Sequence, residues 1–224
     1  MSTVEQEVAP LVAGDKLAQD EFLRRWEAMP NLKFAELIGG IVYMPSPLSR
    51  EHGTTDYRIH WWLGHYQAFT PGCEGGCNAT WLMLEDSPQP DGYLRILPER
   101  GGQSRNQGPY IQGAPEFVAE VCLSSTAYDL HQKLDLYQAA GVREYLAVLI
   151  REREVRWHRL TNGVFQVVPT GSDGVVRSMV FPGLWLDVPA FLTGDAARVL
   201  TVLTQGLNTT EHADFVARLA QRRG

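Results

Sequence analysis

Apolar positions along the chain fall into short continuous runs and longer periodic stretches, and their order predicts a mixed α/β sheet flanked by helices. Residues 18–29 (AQDEFLRRWEAM) read as a short helix ending near Pro30. The runs FAELI and IVYM flank Gly39-Gly40. Paired glycines take the positive φ of a tight turn, so a β-hairpin is expected, closed by Pro45 and Pro47. Over residues 50–69 the spacing is helical: Tyr57, Trp61 and His65 recur every four, as do Ile59 and Leu63. ATWLML and GYLRIL read as strands separated by the turn residues EDSPQPD. Residues 98–115 (PERGGQSRNQGPYIQGAP) lack apolar periodicity and read as a long functional loop.

EFVAEVCL is nearly continuous in apolar character, the mark of a central strand buried on both faces. Thr126 and Asp129 resemble a capping box, and the helix they open runs through DLHQKLDLYQAA to Gly141. EYLAVLI reads as another buried strand. EVRWHRL and VFQVVPT form a hairpin about Thr161-Asn162-Gly163, and VRSMVF adds a strand before Pro182-Gly183. The expected organisation is a loose arm (1–16), one α/β domain (17–190) and a helical extension packed on it (191–224).

Charge and cysteine usage narrow the function. The net charge of −6 argues against an indiscriminate nucleic-acid coat, but not against a nuclease with a local basic groove. Three cysteines make no disulfide framework and suggest a reducing, cytoplasmic setting. The N-terminus does not read as a signal peptide, and no stretch reads as a membrane span.

Three carboxylates stand in apolar surroundings. Glu120 lies inside FVAEVCL, where a carboxylate is costly unless paired, protonated or bound to a cation. Asp91 sits at the mouth of a strand in QPDG, and Glu36 in FAELI. Converging, they would make an oxygen-rich site for Mg²⁺, with Mn²⁺ as a substitute. Taken singly, Asp91 also suits an ordinary turn, Glu36 an exposed edge and Glu120 a structural ion pair. Lys133 borders the buried stripe marked by Leu130, Leu134 and Tyr137, so its ammonium can return to the Glu120 strand or snorkel to water.

The succession ELIGGIVYMPSP, a helix containing His52, QPDG, FVAEV, TAYDLHQKLDLYQAAGVREYLAV and FPGLWLDV resembles the Uma family of restriction endonucleases, in the PD-(D/E)XK nuclease-like superfamily. The resemblance spans residues 21–187, and KLDLYQAAGVREY is its most specific block. It implies a restriction-endonuclease-like fold and Mg²⁺-dependent hydrolysis of phosphodiester bonds in DNA, often by paired chains forming a homodimer. It implies catalytic roles for Asp91, Glu120, Glu36 and Lys133, the three acids serving as metal ligands. The usual lysine position, two after the second acid, holds Cys122; the family commonly moves that lysine to the next helix, where Lys133 stands. Leu123 replaces a frequent serine, with Ser124 and Ser125 beside it. His52 also matches a family position, for substrate contact or helix packing.

Arg95, Arg100 and Arg105, on or near the long loop, are candidate phosphate contacts; Arg151, Arg153, Arg156 and Arg159 form a second cluster, interleaved with Glu152 and Glu154. A rival reading is an inactive nuclease fold acting as a binding or assembly module, with Trp61, Trp62, Tyr66 and Trp81 as core or dimer face. A third is a zinc site of Cys73, Cys77, His65 and His60. No nucleotide-binding glycine loop appears.

Overall fold

The computed structural model describes residues 8–44, 49–123 and 128–222, with side chains from 131 onward in the last of these. Pro45, Pro47, Ser124, Ser125, Thr126, the side chains of Asp129 and Leu130 and the first seven residues of the arm lie outside the described residues.

The elements run α1 (Gln19–Glu27), β1 (Glu36–Ile38), β2 (Ile41–Tyr43), α2 (Arg50–Ala68), β3 (Cys73–Gly76), β4 (Trp81–Leu82) and β5 (Gly92–Ile96). There follow β6 (Arg105–Gln107), β7 (Tyr110–Gln112), β8 (Phe117–Cys122), α3 (Tyr128–Ala140), β9 (Glu144–Leu149), β10 (Glu154–Thr161) and β11 (Val164–Val167). The chain closes with β12 (Val175–Arg177), β13 (Trp185–Asp187), α4 (Val188–Thr193), α5 (Ala196–Leu207) and α6 (Thr210–Gln221).

A six-stranded mixed sheet in the order β11-β10-β9-β8-β5-β3 forms the centre. Only β8 and β9 run parallel in it, joined by α3; the other neighbours are antiparallel. Strand alternation sorts the side chains of β8 onto two faces. Phe117, Ala119 and Val121 pack with Ile59, Trp62 and Leu63 of α2. Val118 turns to the other face, with Leu136 and Tyr137 of α3 and Tyr145 of β9. Glu120 shares the parity of Val118, so the same alternation that builds the core aims a carboxylate at α3.

The Gly39-Gly40 turn forms as expected, with φ of +60° and +72°, a conformation open to glycine at little cost. Asp86 accepts both of its backbone N–H groups, at 2.8 and 3.0 Å. A bridge between Leu37 and Ser87 further ties the hairpin to the segment leading into Asp91. Ser49 caps α2 by accepting from the His52 N–H.

Several expectations are corrected. ATWLML contributes only the two-residue β4, which pairs with β7 outside the central sheet. The long loop is not structureless: it holds the β6–β7 hairpin and completes a three-stranded sheet with β4. Cys73–Gly76, which carries no alternating side-chain signal, forms one edge of the central sheet. The strand read in VRSMVF lies earlier, at Val175–Arg177, and pairs with β13 instead of the main sheet. Trp62, Tyr66 and Trp81 are fully buried and so belong to the core rather than to a dimer face. No helix among the described residues is long and apolar enough to cross a membrane.

Candidate active site

Four elements deliver the acidic cluster. The β5–β8 ladder pairs Gly92 with Ala119; one step further sets Asp91 opposite Glu120. The Val121 N–H donates to Asp91 Oδ2 at 2.7 Å, holding the carboxylate against the end of β8. On α3, Lys133 and Tyr137 are four apart and share a face. Lys133 Nζ donates to the two Glu120 oxygens at 3.1 and 3.2 Å, and the Tyr137 hydroxyl to Oε1 at 2.6 Å. The β1–β2 hairpin brings Glu36, whose Oε1 lies 3.0 Å from Lys133 Nζ and accepts the Gln89 N–H at 2.6 Å. From α2, His52 Nε2 stands 3.7 Å from Asp91 Oδ2, and among the described residues its buried Nδ1 has no hydrogen-bond partner.

Glu36, His52, Asp91, Glu120 and Lys133 line one cavity of about 310 Å³. Its electrostatics follow from three carboxylates sharing one ammonium. Burial drives the Glu120 carboxyl up to about 8; Lys133 opposes this, while Asp91 and Glu36 add to it. Asp91 is raised as well, by burial above all, against the pull of Lys133 and the Val121 N–H. Burial works against the Lys133 ammonium, but Glu120, Glu36 and Asp91 outweigh it and hold its pKa well above the ordinary lysine value.

With all three acids ionised and His52 neutral, the cluster would carry a net charge of about −2 in a desolvated place, which one divalent cation would offset. The donor chemistry therefore suits a hard cation, with Asp91 and Glu120 as the natural oxygen ligands. The arrangement itself is not a finished cage. Among the described residues no three His, Cys, Asp or Glu side chains stand together so as to hold a metal ion, and it is Lys133 that bridges Glu36 and Glu120.

The same observation removes the zinc reading. His60 Nε2 is engaged by the Asp91 carbonyl at 2.8 Å and by Asp56 Oδ1 at 2.9 Å; Cys73 is buried in the core, Cys77 is exposed, and His65 packs on Phe69. Arg95 is also corrected as a phosphate contact. It is 2% exposed, pairs with Glu74 and donates to Asn106, because β5 turns it inward on the parity of Tyr93. Arg100 is spent on carbonyls at the end of α6. Arg105 is exposed on β6, holds Gln112 and does not line the cavity. Arg156 and Arg159 pair with Glu154 and Glu144. Sequence reasoning placed Tyr137 only on a buried stripe; its spacing of four from Lys133 was the available signal. Gln89 acts through its backbone N–H, which carries no sequence mark, whereas Asp56 and His60 pair side chain to side chain at a spacing of four on α2.

The family model described as "Uma2: Putative restriction endonuclease" matches residues 19–189. A crystal structure from Anabaena variabilis ATCC 29413, described as "a putative nuclease belonging to DUF820", shares the fold at a TM-score of 0.56 and 15% identity, covering 91% of this chain and 99% of that one. No curated protein matches the chain.

Proposed function

Because the chain belongs to the Uma2 family, described as "Putative restriction endonuclease", we propose that it is an endonuclease hydrolysing phosphodiester bonds in DNA with the help of a divalent cation. The observation that carries this reading is the meeting of Glu36, Asp91, Glu120 and Lys133 from four separate elements on one cavity. Mg²⁺, or Mn²⁺ in its place, held by oxygens of Asp91 and Glu120, would supply charge to the scissile phosphate and acidify the attacking water.

The chain's own groups do the rest. Water adds across the P–O bond: its oxygen joins phosphorus, and the leaving oxygen departs with a proton. The Lys133 ammonium, kept charged by its acids, offsets negative charge on the phosphate. Tyr137 and the Val121 N–H fix the orientations of Glu120 and Asp91. Glu36 holds Lys133 from the hairpin side. His52 lines the cavity beside Asp91, with its Nε2 3.7 Å from Oδ2. Plasmid or single-stranded DNA incubated with Mg²⁺ or Mn²⁺ should be cut by the wild type and spared by the Asp91→Ala, Glu120→Ala double variant. Cleavage that survives in the double variant overturns the assignment.

One observation favours a second reading, an inactive module with a structural acid–lysine cluster: the ammonium already bridges two of the carboxylates. Such a module would show neither cleavage nor a Mn²⁺-dependent thermal shift that vanishes in Asp91→Asn.

A further inference from the structure

We infer that the cavity admits a single unpaired nucleotide, so that DNA is engaged where a strand is single or has a nucleotide extruded from the duplex. The inference rests on the nuclease reading above and names its substrate class.

Depth is the first observation. Glu120 is 4% exposed and Lys133 9%, so a phosphate must enter the cavity to meet them. At about 310 Å³ the cavity lies at the small end of pockets that take one small molecule, roughly 300–1,000 Å³. A paired, stacked duplex presents its phosphates on a broad rod, whereas an unpaired nucleotide can be drawn into such a space.

The wall is the second. Phe34, Ala35, Ile38, Tyr43 and Met44, all from the hairpin and its lead-in, make one apolar side beside Glu36. Phe34 is 45% exposed and belongs to none of the three core clusters. An aromatic ring that the core does not use, at the mouth of a cavity with an ionic floor, is a stacking surface for a base whose phosphate reaches inward.

The test measures binding separately from cleavage. A short fluorescein-labelled oligodeoxynucleotide, single-stranded or annealed as a blunt duplex, is titrated with the protein in Ca²⁺, which takes the same oxygen donors. The single strand is expected to bind about tenfold or more tightly than the duplex. Phe34→Ala should weaken single-strand binding about fivefold or more, the low end for one stacked base, and Phe34→Trp should restore it. Unchanged melting temperatures confirm that both variants fold. Equal affinity for the two forms, no binding of either, or indifference to Phe34→Ala overturns the inference. Metal-dependent cutting of a blunt duplex at the single-strand rate also overturns it while leaving the nuclease reading standing. Selective, Phe34-dependent binding without any cleavage does the opposite.

Discussion

Glu120 on β8 and Glu144 on the neighbouring β9 are both buried carboxylates, yet their surroundings differ in kind. Glu144 is completely buried and its oxygens are matched one by one. Oε1 accepts from Arg159 Nε and the Met179 N–H, and Oε2 from the Ser178 hydroxyl. Burial raises its pKa, and Ser178, Met179 and Arg159 all pull the other way. Around Glu120, burial is again the largest influence, but two neighbours, Asp91 and Glu36, push in the same direction as burial. Glu144 thus staples the β12 segment to the sheet, whereas Glu120 sits in a place with more negative charge than its ammonium can balance. Burial of an acid does not by itself mark chemistry; crowding of acids beside a cavity does.

Single substitutions should separate the two. Glu120→Gln is expected to lower metal-dependent cleavage by roughly 10²–10³-fold, the scale of losing one preorganised electrostatic group, while the melting temperature holds or rises because repulsion is relieved. Calorimetry alongside a cleavage assay reads both. Glu144→Ala should do the reverse. Leaving Arg159 and Ser178 without their acceptor should cost about 3–5 kcal/mol in urea unfolding, the range for breaking a buried ion pair. Folded molecules of that variant, assayed well below their transition, should cleave at the wild-type rate. A Glu144→Ala enzyme that is stable but inactive would erase the contrast.

That contrast was half visible in the sequence. Glu120 stood out because FVAEVCL leaves a carboxylate no wet face, and Lys133 because its helix borders the same strand. Asp91, alone an ordinary turn residue, becomes a site residue through the β5–β8 register, which sets it opposite Glu120. Register is a property of strand pairing and leaves no local trace. Arg95 is a related case: β5 turns it inward on the parity of Tyr93, whereas its charge alone suggests a phosphate contact. The central strands were legible because hydrophobic burial imposes a strong pattern. Cys73–Gly76 was not, since its pairing with β5 runs through backbone groups of a segment with two glycines. The long loop's hairpin likewise relies on β4 to complete its small sheet.

A smaller effect sharpens how Glu120 is held. Tyr137→Phe removes one hydroxyl donor from a buried acceptor and should cost about 1–3 kcal/mol in chemical unfolding. Cleavage should drop by about tenfold, the lower end for a group that orients a metal ligand. A cleavage loss equal to that of Glu120→Gln would instead put Tyr137 in direct contact with the substrate.

The pH dependence of stability gives the finest comparison. The folded Glu120 carboxyl stands near 8, raised from an ordinary 4.5. Below about 4.5 both folded and unfolded chains carry its proton, and the full benefit is present. Between about 4.5 and 8 the unfolded chain releases that proton first, so stability falls as pH rises and the benefit is gone above the folded value. Asp91 and Glu144, also raised, add slopes of the same sign. Metal-free wild type should therefore melt at a lower temperature at pH 8 than at pH 5, as differential scanning calorimetry across that range would read. Glu120→Gln should flatten the curve without abolishing it, because Asp91 and Glu144 remain. Mg²⁺ should flatten it in the wild type by favouring the ionised acids, and should have no such effect in an Asp91→Asn, Glu120→Gln double variant. A wild-type curve as shallow as that of Glu120→Gln would mean that Lys133 alone balances the cluster, and the distinction between Glu120 and Glu144 would collapse into two structural ion pairs.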